Sequence, residues 1–286
     1  MRKSVHLLIL KRPRRCHGRR PLEVRQDREY PFPASVESPH FLYRSDAELK
    51  AHPSYKAAKA GSIDAAIQLI VDLAPPLVAR LLEEGFPSSC IFVAPHAREA
   101  EGENAIPQVF AMYLHHVLDG AVDESIVQTT KVFHTGADPM ERMSLRACFS
   151  GHVVPGGRYV LVDDVTTMGG TLAELASYIQ SHRGGVVAAV VLVCAGRSGR
   201  LVAPRKVILE LERRYGDEIR KIFGIATNAL TADEAGYLIG FRTSDEIRNR
   251  RAKAEQETHL RLGSKGIQLD ELEGQVKPIG PERRQR

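Results

Sequence analysis

The chain has 286 residues, 43% of them hydrophobic and 26% charged, with a formal net charge of +5. This excludes a wholly disordered chain, a collagen-like fibre and a coiled coil, and allows one large domain with extensions or two small ones. The charge is uneven: residues 1–30 hold 10 Lys/Arg against 3 Asp/Glu, while the remainder holds 30 against 32, so charge gives the body no case for binding nucleic acid.

Residues 1–40, rich in Arg and Pro and without periodicity, read as a basic, disordered arm. Residues 1–30 offer a place for nucleic acid or anionic lipid to attach. The plainer reading is an extension without a role, or a start assigned too far upstream. The apolar run Val5 to Leu10 is too short for a signal-peptide core, and no stretch approaches the roughly 20 apolar residues of a membrane span. A cytoplasmic chain without membrane contact is therefore expected. Four scattered cysteines (Cys16, Cys90, Cys148, Cys194) form no C-x-x-C pair and read as small buried hydrophobes or inert thiols.

From Ser45 helical signals begin. Residues 41–88 read as an N-terminal helical segment: Ser45 and Asp46 open a first helix, Tyr55 to Leu73 carries helical spacing with Ser62 as an N-cap, and Leu77 to Glu84 ends at Gly85. Strands and helices then alternate over 89–200. Cys90 to Ala94 is a short apolar strand, 106–118 a helix, Ser125 to Phe133 a β-rich run, 134–157 a long loop, Arg158 to Val162 a buried strand, Thr171 to His182 a helix and Val186 to Val193 the most hydrophobic strand. Strands this apolar, spaced by helices, predict an α/β fold with a parallel sheet. Residues 201–262 read as a helical C-terminal segment, with Thr231 and Glu234 in capping-box spacing, and 263–286 as a polar tail.

The stretch that carries chemistry is Tyr159-Val160-Leu161-Val162-Asp163-Asp164-Val165-Thr166-Thr167-Met168-Gly169-Gly170-Thr171. A buried parallel strand delivers two adjacent carboxylates to its C-terminal end, where open α/β sheets bind ligands. A Thr/Gly loop then leads into a helix N-terminus, whose free N–H groups and partial positive charge suit a phosphate. The acids beside it can accept hydrogen bonds from vicinal hydroxyls or help hold Mg²⁺. Phosphate at one end and diol or metal at the other describes a ribose 5-phosphate.

This segment resembles the 13-residue signature of the type I phosphoribosyltransferases, and His52 to Gly61 is similar to a branch of that family outside the familiar salvage enzymes. The resemblance is specific over about residues 159–172 and extends, in strand order, over about 90–195. It implies the parallel-sheet type I phosphoribosyltransferase fold with helical N- and C-terminal additions. It also implies phosphoribosyl pyrophosphate (PRPP) and a small-molecule acceptor as partners, Mg²⁺ as cofactor, and transfer of ribose 5-phosphate to a nitrogen nucleophile with release of pyrophosphate. An assembly of like chains is expected.

By the resemblance, Asp163 and Asp164 contact the ribose hydroxyls, stabilise charge on the ribosyl ring, and hold the metal partly through water. Thr166, Thr167, Met168, Gly169, Gly170 and Thr171 wrap the 5-phosphate. Met168 departs from the Thr or Ser usual before the paired glycines, which removes one phosphate-binding hydroxyl. Pyrophosphate would meet His96 and Arg98 in the loop after the first core strand, where Glu99, Glu101 and Glu103 oppose a pure anion site. It would also meet Lys131, His134, Arg142 and Arg146 in or beside a mobile hood over 134–151.

Adjacent Asp163-Asp164 is not the Asp-x-Asp of haloacid-type phosphatases, and no Lys follows Gly169-Gly170 as a Walker A loop requires. The reading that stands beside the enzyme is a non-catalytic PRPP- or nucleotide-sensing module of the same fold that touches nucleic acid through its arm.

Overall fold

In a computed structural model, residues 26–95, 98–99, 102–130 and 137–263 are described. Among these residues, five strands form one parallel sheet: β1 (His40–Tyr43), β2 (Cys90–Val93), β3 (Gly120–Asp123), β4 (Arg158–Thr166) and β5 (Gly185–Cys194), in the order β1-β5-β4-β2-β3. The α/β class and parallel sheet expected from the sequence are present. The central strands are apolar on both faces because both faces are covered. On β4, Val160 and Val162 enter one core, while Tyr159 and Leu161 enter the other.

The first face is covered by α1 (Ala47–Ala51), α2 (Tyr55–Lys59), α3 (Ile63–Leu73), α4 (Pro75–Glu83) and α5 (Ile106–Leu118). Ser62 caps α3 as its position predicts, its side chain accepting the Ala65 N–H. Between β3 and β4 lies α6 (Pro139–Ser144), and the second face is covered by α7 (Gly170–Ser181). A third cluster joins α6 to the C-terminal helices α8 (Arg205–Tyr215), α9 (Glu218–Phe223), α10 (Ala232–Leu238) and α11 (Ser244–Gly263). No single helix among the described residues is long and apolar enough to cross a membrane.

Three expectations are corrected. The sheet strand near residue 125 is β3, over Gly120–Asp123, and among its described residues the β-rich run supplies Val127–Gln128, paired with Phe149–Ser150, while residues 131–133 lie outside the described residues. Gly120 fits there because a Cβ would stand 2.5 Å from the Cys90 carbonyl oxygen, so close strand pairing selects a residue that strand propensity disfavours.

The arm does not reach residue 40. Phe32 and Val36 are buried in the second core, and Arg28, 1% exposed, pairs with Ile225 as a parallel bridge. A truncation that tests the arm must therefore stop at residue 25.

The hood segment is also not a free loop. Asp138 and Glu141 form a capping box at the start of α6, and α11 grips both: Arg250 pairs with Asp138 at 2.5 Å, and the Thr258 hydroxyl donates to Glu141 at 2.6 Å. Its apolar side, Met140 and Met143, is buried against the C-terminal helices. The first residues assigned to the hood, including His134, lie outside the described residues, as do residues 264–286 of the tail.

Candidate functional site

At the C-terminal end of β4 the backbone turns through Thr166 to Gly169 and enters α7 at Gly170. Gly169 is the helix N-cap in the left-handed region, at φ 77°, and no side chain caps the helix. The N–H groups of Gly170, Thr171 and Leu172 are those a helix leaves without an intrahelical acceptor. The helix thus presents a bare, partly positive end. Ala at Gly169 would be strained in φ and set its methyl 3.2 Å from Leu201 Cδ2. Gly169→Ala is expected to cost about 1–3 kcal/mol, read as a lower midpoint in urea unfolding.

Around this turn lies a cleft of about 350 Å³. The loop and helix start (Thr166 to Thr171) line it, with Asp163 and Asp164 beside them, Lys59 and Asn104 on one side and Arg142 on the other. The strand thus brings the twin acids and the Thr/Gly loop into one cavity.

The two acids differ in environment. Asp164 is 3% exposed and tightly held: Lys59 Nζ is 2.9 Å from its Oδ2, Asn104 Nδ2 donates to the same oxygen at 3.2 Å, and the Val165 N–H donates to Oδ1. Burial pushes its pKa up, but the Lys59 charge and these hydrogen bonds outweigh burial and hold it below the ordinary value. Asp163 accepts the Asp164 N–H at 2.8 Å. Burial, and then the Asp164 charge, push its carboxyl well above the usual range. One acid is held as an anion, while in its neighbour burial and the adjacent negative charge outweigh the Lys59 charge.

Arg142, half-buried, donates from Nε to the Ala137 carbonyl and from Nη1 to Thr167 Oγ1 at 3.2 Å. Burial and then the nearby Arg261 charge lower its pKa, against the Glu141 and Asp138 charges, which raise it. Of the residues assigned to pyrophosphate, Arg142 and Arg146 both line the cleft, and Arg142 contacts the Thr/Gly loop through Thr167.

Arg146 is committed elsewhere. It makes a two-pronged pair with Glu174 (2.5 and 2.6 Å) and donates to the carbonyls of Phe223 (2.9 Å), Gly224 (2.7 Å) and Gln26 (3.2 Å). Its pyrophosphate role is therefore corrected: its donors are saturated inside the protein. His96 and Lys131 lie outside the described residues. Arg98 is described only as backbone, paired with Glu103 in a short antiparallel ladder.

Sequence reasoning missed Lys59 and Asn104. Both stand far from the acids in sequence, Asn104 by 60 residues, and reach the site because α5 packs over β4 and the Ala58 carbonyl of α2 accepts the Ala105 N–H just before α5. Lys59 does lie within the His52–Gly61 stretch, which was a usable signal.

Met168 faces away from the loop's polar groups. Its side chain packs on the C-terminal cluster that holds Met140, Leu230 and Leu238, while its carbonyl accepts the Thr231 hydroxyl at 2.6 Å.

No family model matches the chain. It is 36% identical over 217 residues to Protein TraN of Escherichia coli, covering 74% of this chain and 48% of that protein. It is 38% identical over 159 residues to an uncharacterised protein of Haemophilus influenzae, covering 55% of this chain and 34% of that one. The chain thus spans half or less of the length of these curated relatives. Among solved structures it is similar to adenine phosphoribosyltransferases. One from Thermoanaerobacter pseudethanolicus matches at 18% identity and TM-score 0.30 (44% of this chain, 84% of that one). One from Leishmania donovani matches at 16% identity and TM-score 0.31 (66% and 72%), an overlap too loose to lend residue roles.

Proposed function

We propose that the chain is a phosphoribosyltransferase of the type I kind, binding PRPP with Mg²⁺ and transferring ribose 5-phosphate to a nitrogen nucleophile. The supporting observation is the meeting, in one cleft, of the bare α7 N-terminus, Arg142 on Thr167, and the Asp163–Asp164 pair.

In this reading the 5-phosphate sits over the N–H groups of Gly170 to Leu172, with the Thr167 and Thr171 hydroxyls and the Arg142 guanidinium as further donors. The ribose hydroxyls donate to the paired carboxylates. As the acceptor nitrogen bonds to C1, the bond from C1 to the pyrophosphate oxygen breaks and pyrophosphate leaves with the electron pair. Asp163 then faces the positive charge that grows on the ribosyl ring, and that charge favours its ionised form.

In this reading Mg²⁺ is held at Asp163 and Asp164 partly through water. Asp163 and Asp164 supply two carboxylates, and no group of three or more His, Cys, Asp or Glu able to hold a metal is found among the described residues. In this reading the remaining ligands are substrate phosphates and water. When bound, it would neutralise charge on the departing pyrophosphate.

Calorimetric titration of PRPP with and without Mg²⁺ tests the reading. Saturable binding below about 1 mM, tightened by the ion, is expected, followed by pyrophosphate release when nitrogen acceptors are supplied. A flat titration at millimolar PRPP would refute it.

A further inference from the structure

The phosphate loop is held from beneath by elements outside the strand–loop–helix unit. At the start of α10, the Thr231 hydroxyl accepts the Glu234 N–H at 3.2 Å, and the Glu234 carboxylate accepts the Thr231 N–H at 2.9 Å. The same hydroxyl donates its one proton to the Met168 carbonyl, so a single buried oxygen caps α10 and fixes the loop. A Cβ on Gly169 would touch Thr231 Cγ2 at 3.4 Å, and one on Gly170 would meet Glu234 Oε1 at 3.0 Å. The glycines therefore also let the loop settle onto the α10 cap. From the other side, Arg28 pairs with Glu234 at 2.5 Å and donates to the Gly170 carbonyl at 3.4 Å.

The Met168 and Gly170 carbonyls, which would repel a phosphate, are thus turned toward donors in the protein interior. Turning the carbonyls inward leaves the N–H groups of the same turn facing the cleft. We infer that Thr231 is a positioning residue for phosphate binding: it never touches the ligand, and it sets the loop so that its amides do. This rests on the reading of the Thr166–Thr171 loop as a phosphate site.

Ribose 5-phosphate is the probe, titrated into wild type, Thr231→Val and Thr231→Ser. Val keeps the shape and removes both hydrogen bonds of the hydroxyl, while Ser keeps them. The dissociation constant is expected to rise about tenfold or more in Thr231→Val and to stay within about twofold of wild type in Thr231→Ser. Equal affinity in wild type and Thr231→Val overturns the positioning role alone. Wild type that does not bind the probe overturns the phosphate-site reading beneath it.

Should Thr231→Val not fold, hydrogen exchange on wild type decides. Ribose 5-phosphate is expected to slow exchange over 231–238 as well as over 166–173, and protection confined to the loop overturns the proposal.

Discussion

Asp163→Asn is expected to lower PRPP-dependent pyrophosphate release by about 100-fold or more while leaving the melting temperature unchanged or slightly raised. The opposite signs follow from one cause. Burial and the Asp164 charge push the Asp163 carboxyl well above its ordinary pKa, so the folded protein disfavours its ionised form. For an acid shifted upward, folding loses stability as pH rises above the unfolded pKa, and at neutral pH that loss is present. An amide of the same shape removes it. The same amide also cannot take up the negative charge that a positive ribosyl ring would favour on this carboxyl. A variant that loses stability and activity together would show Asp163 to be structural.

Asp164 does not share this behaviour. An amide there would remove the negative charge that faces Lys59 in a cleft wall, so a double Asp→Asn variant would test the fold as much as the reaction.

What could be read from the sequence was local. Asp163, the Thr/Gly loop and the helix that follows are consecutive, so strand, turn and cap signals in a dozen residues place them relative to each other. The capping box at Thr231 was equally legible, since its two partners are three residues apart. The contacts of Thr231 with the loop 63 residues away were not. Nor was β3, where a two-faced packing constraint at Gly120 overrides propensity. Arg28 and Arg146 show the limit best. Basic residues in Pro-rich or loop-like surroundings suggest a solvated arm and a mobile hood, and only the fold reveals two buried carboxylates waiting for them.

Those two arginines carry the largest expected effect on stability. Arg28 lies between Glu234 (2.5 Å) and Glu174 (3.5 Å), and Glu174 in turn holds Arg146 at 2.5 Å. All four side chains are at most 8% exposed, which makes this a balanced set of two cations and two anions removed from water. It ties residues 26–28 at one end of the chain, the segment after α6, helix α7 and helix α10 into one unit. Arg146→Met keeps the length and apolar stem but leaves Glu174, among the described residues, with the more distant Arg28, and takes a donor from the carbonyls of Phe223, Gln26 and Gly224, of which Gly224 keeps the Arg28 N–H. Breaking a buried pair from one side costs about 3–5 kcal/mol, and that loss is expected in urea unfolding of Arg146→Met. Arg146→Met combined with Glu174→Leu is expected to recover part of it, because the stranded carboxylate is gone. If Arg146 instead served pyrophosphate, Arg146→Met would unfold at the wild-type midpoint and weaken PRPP binding alone.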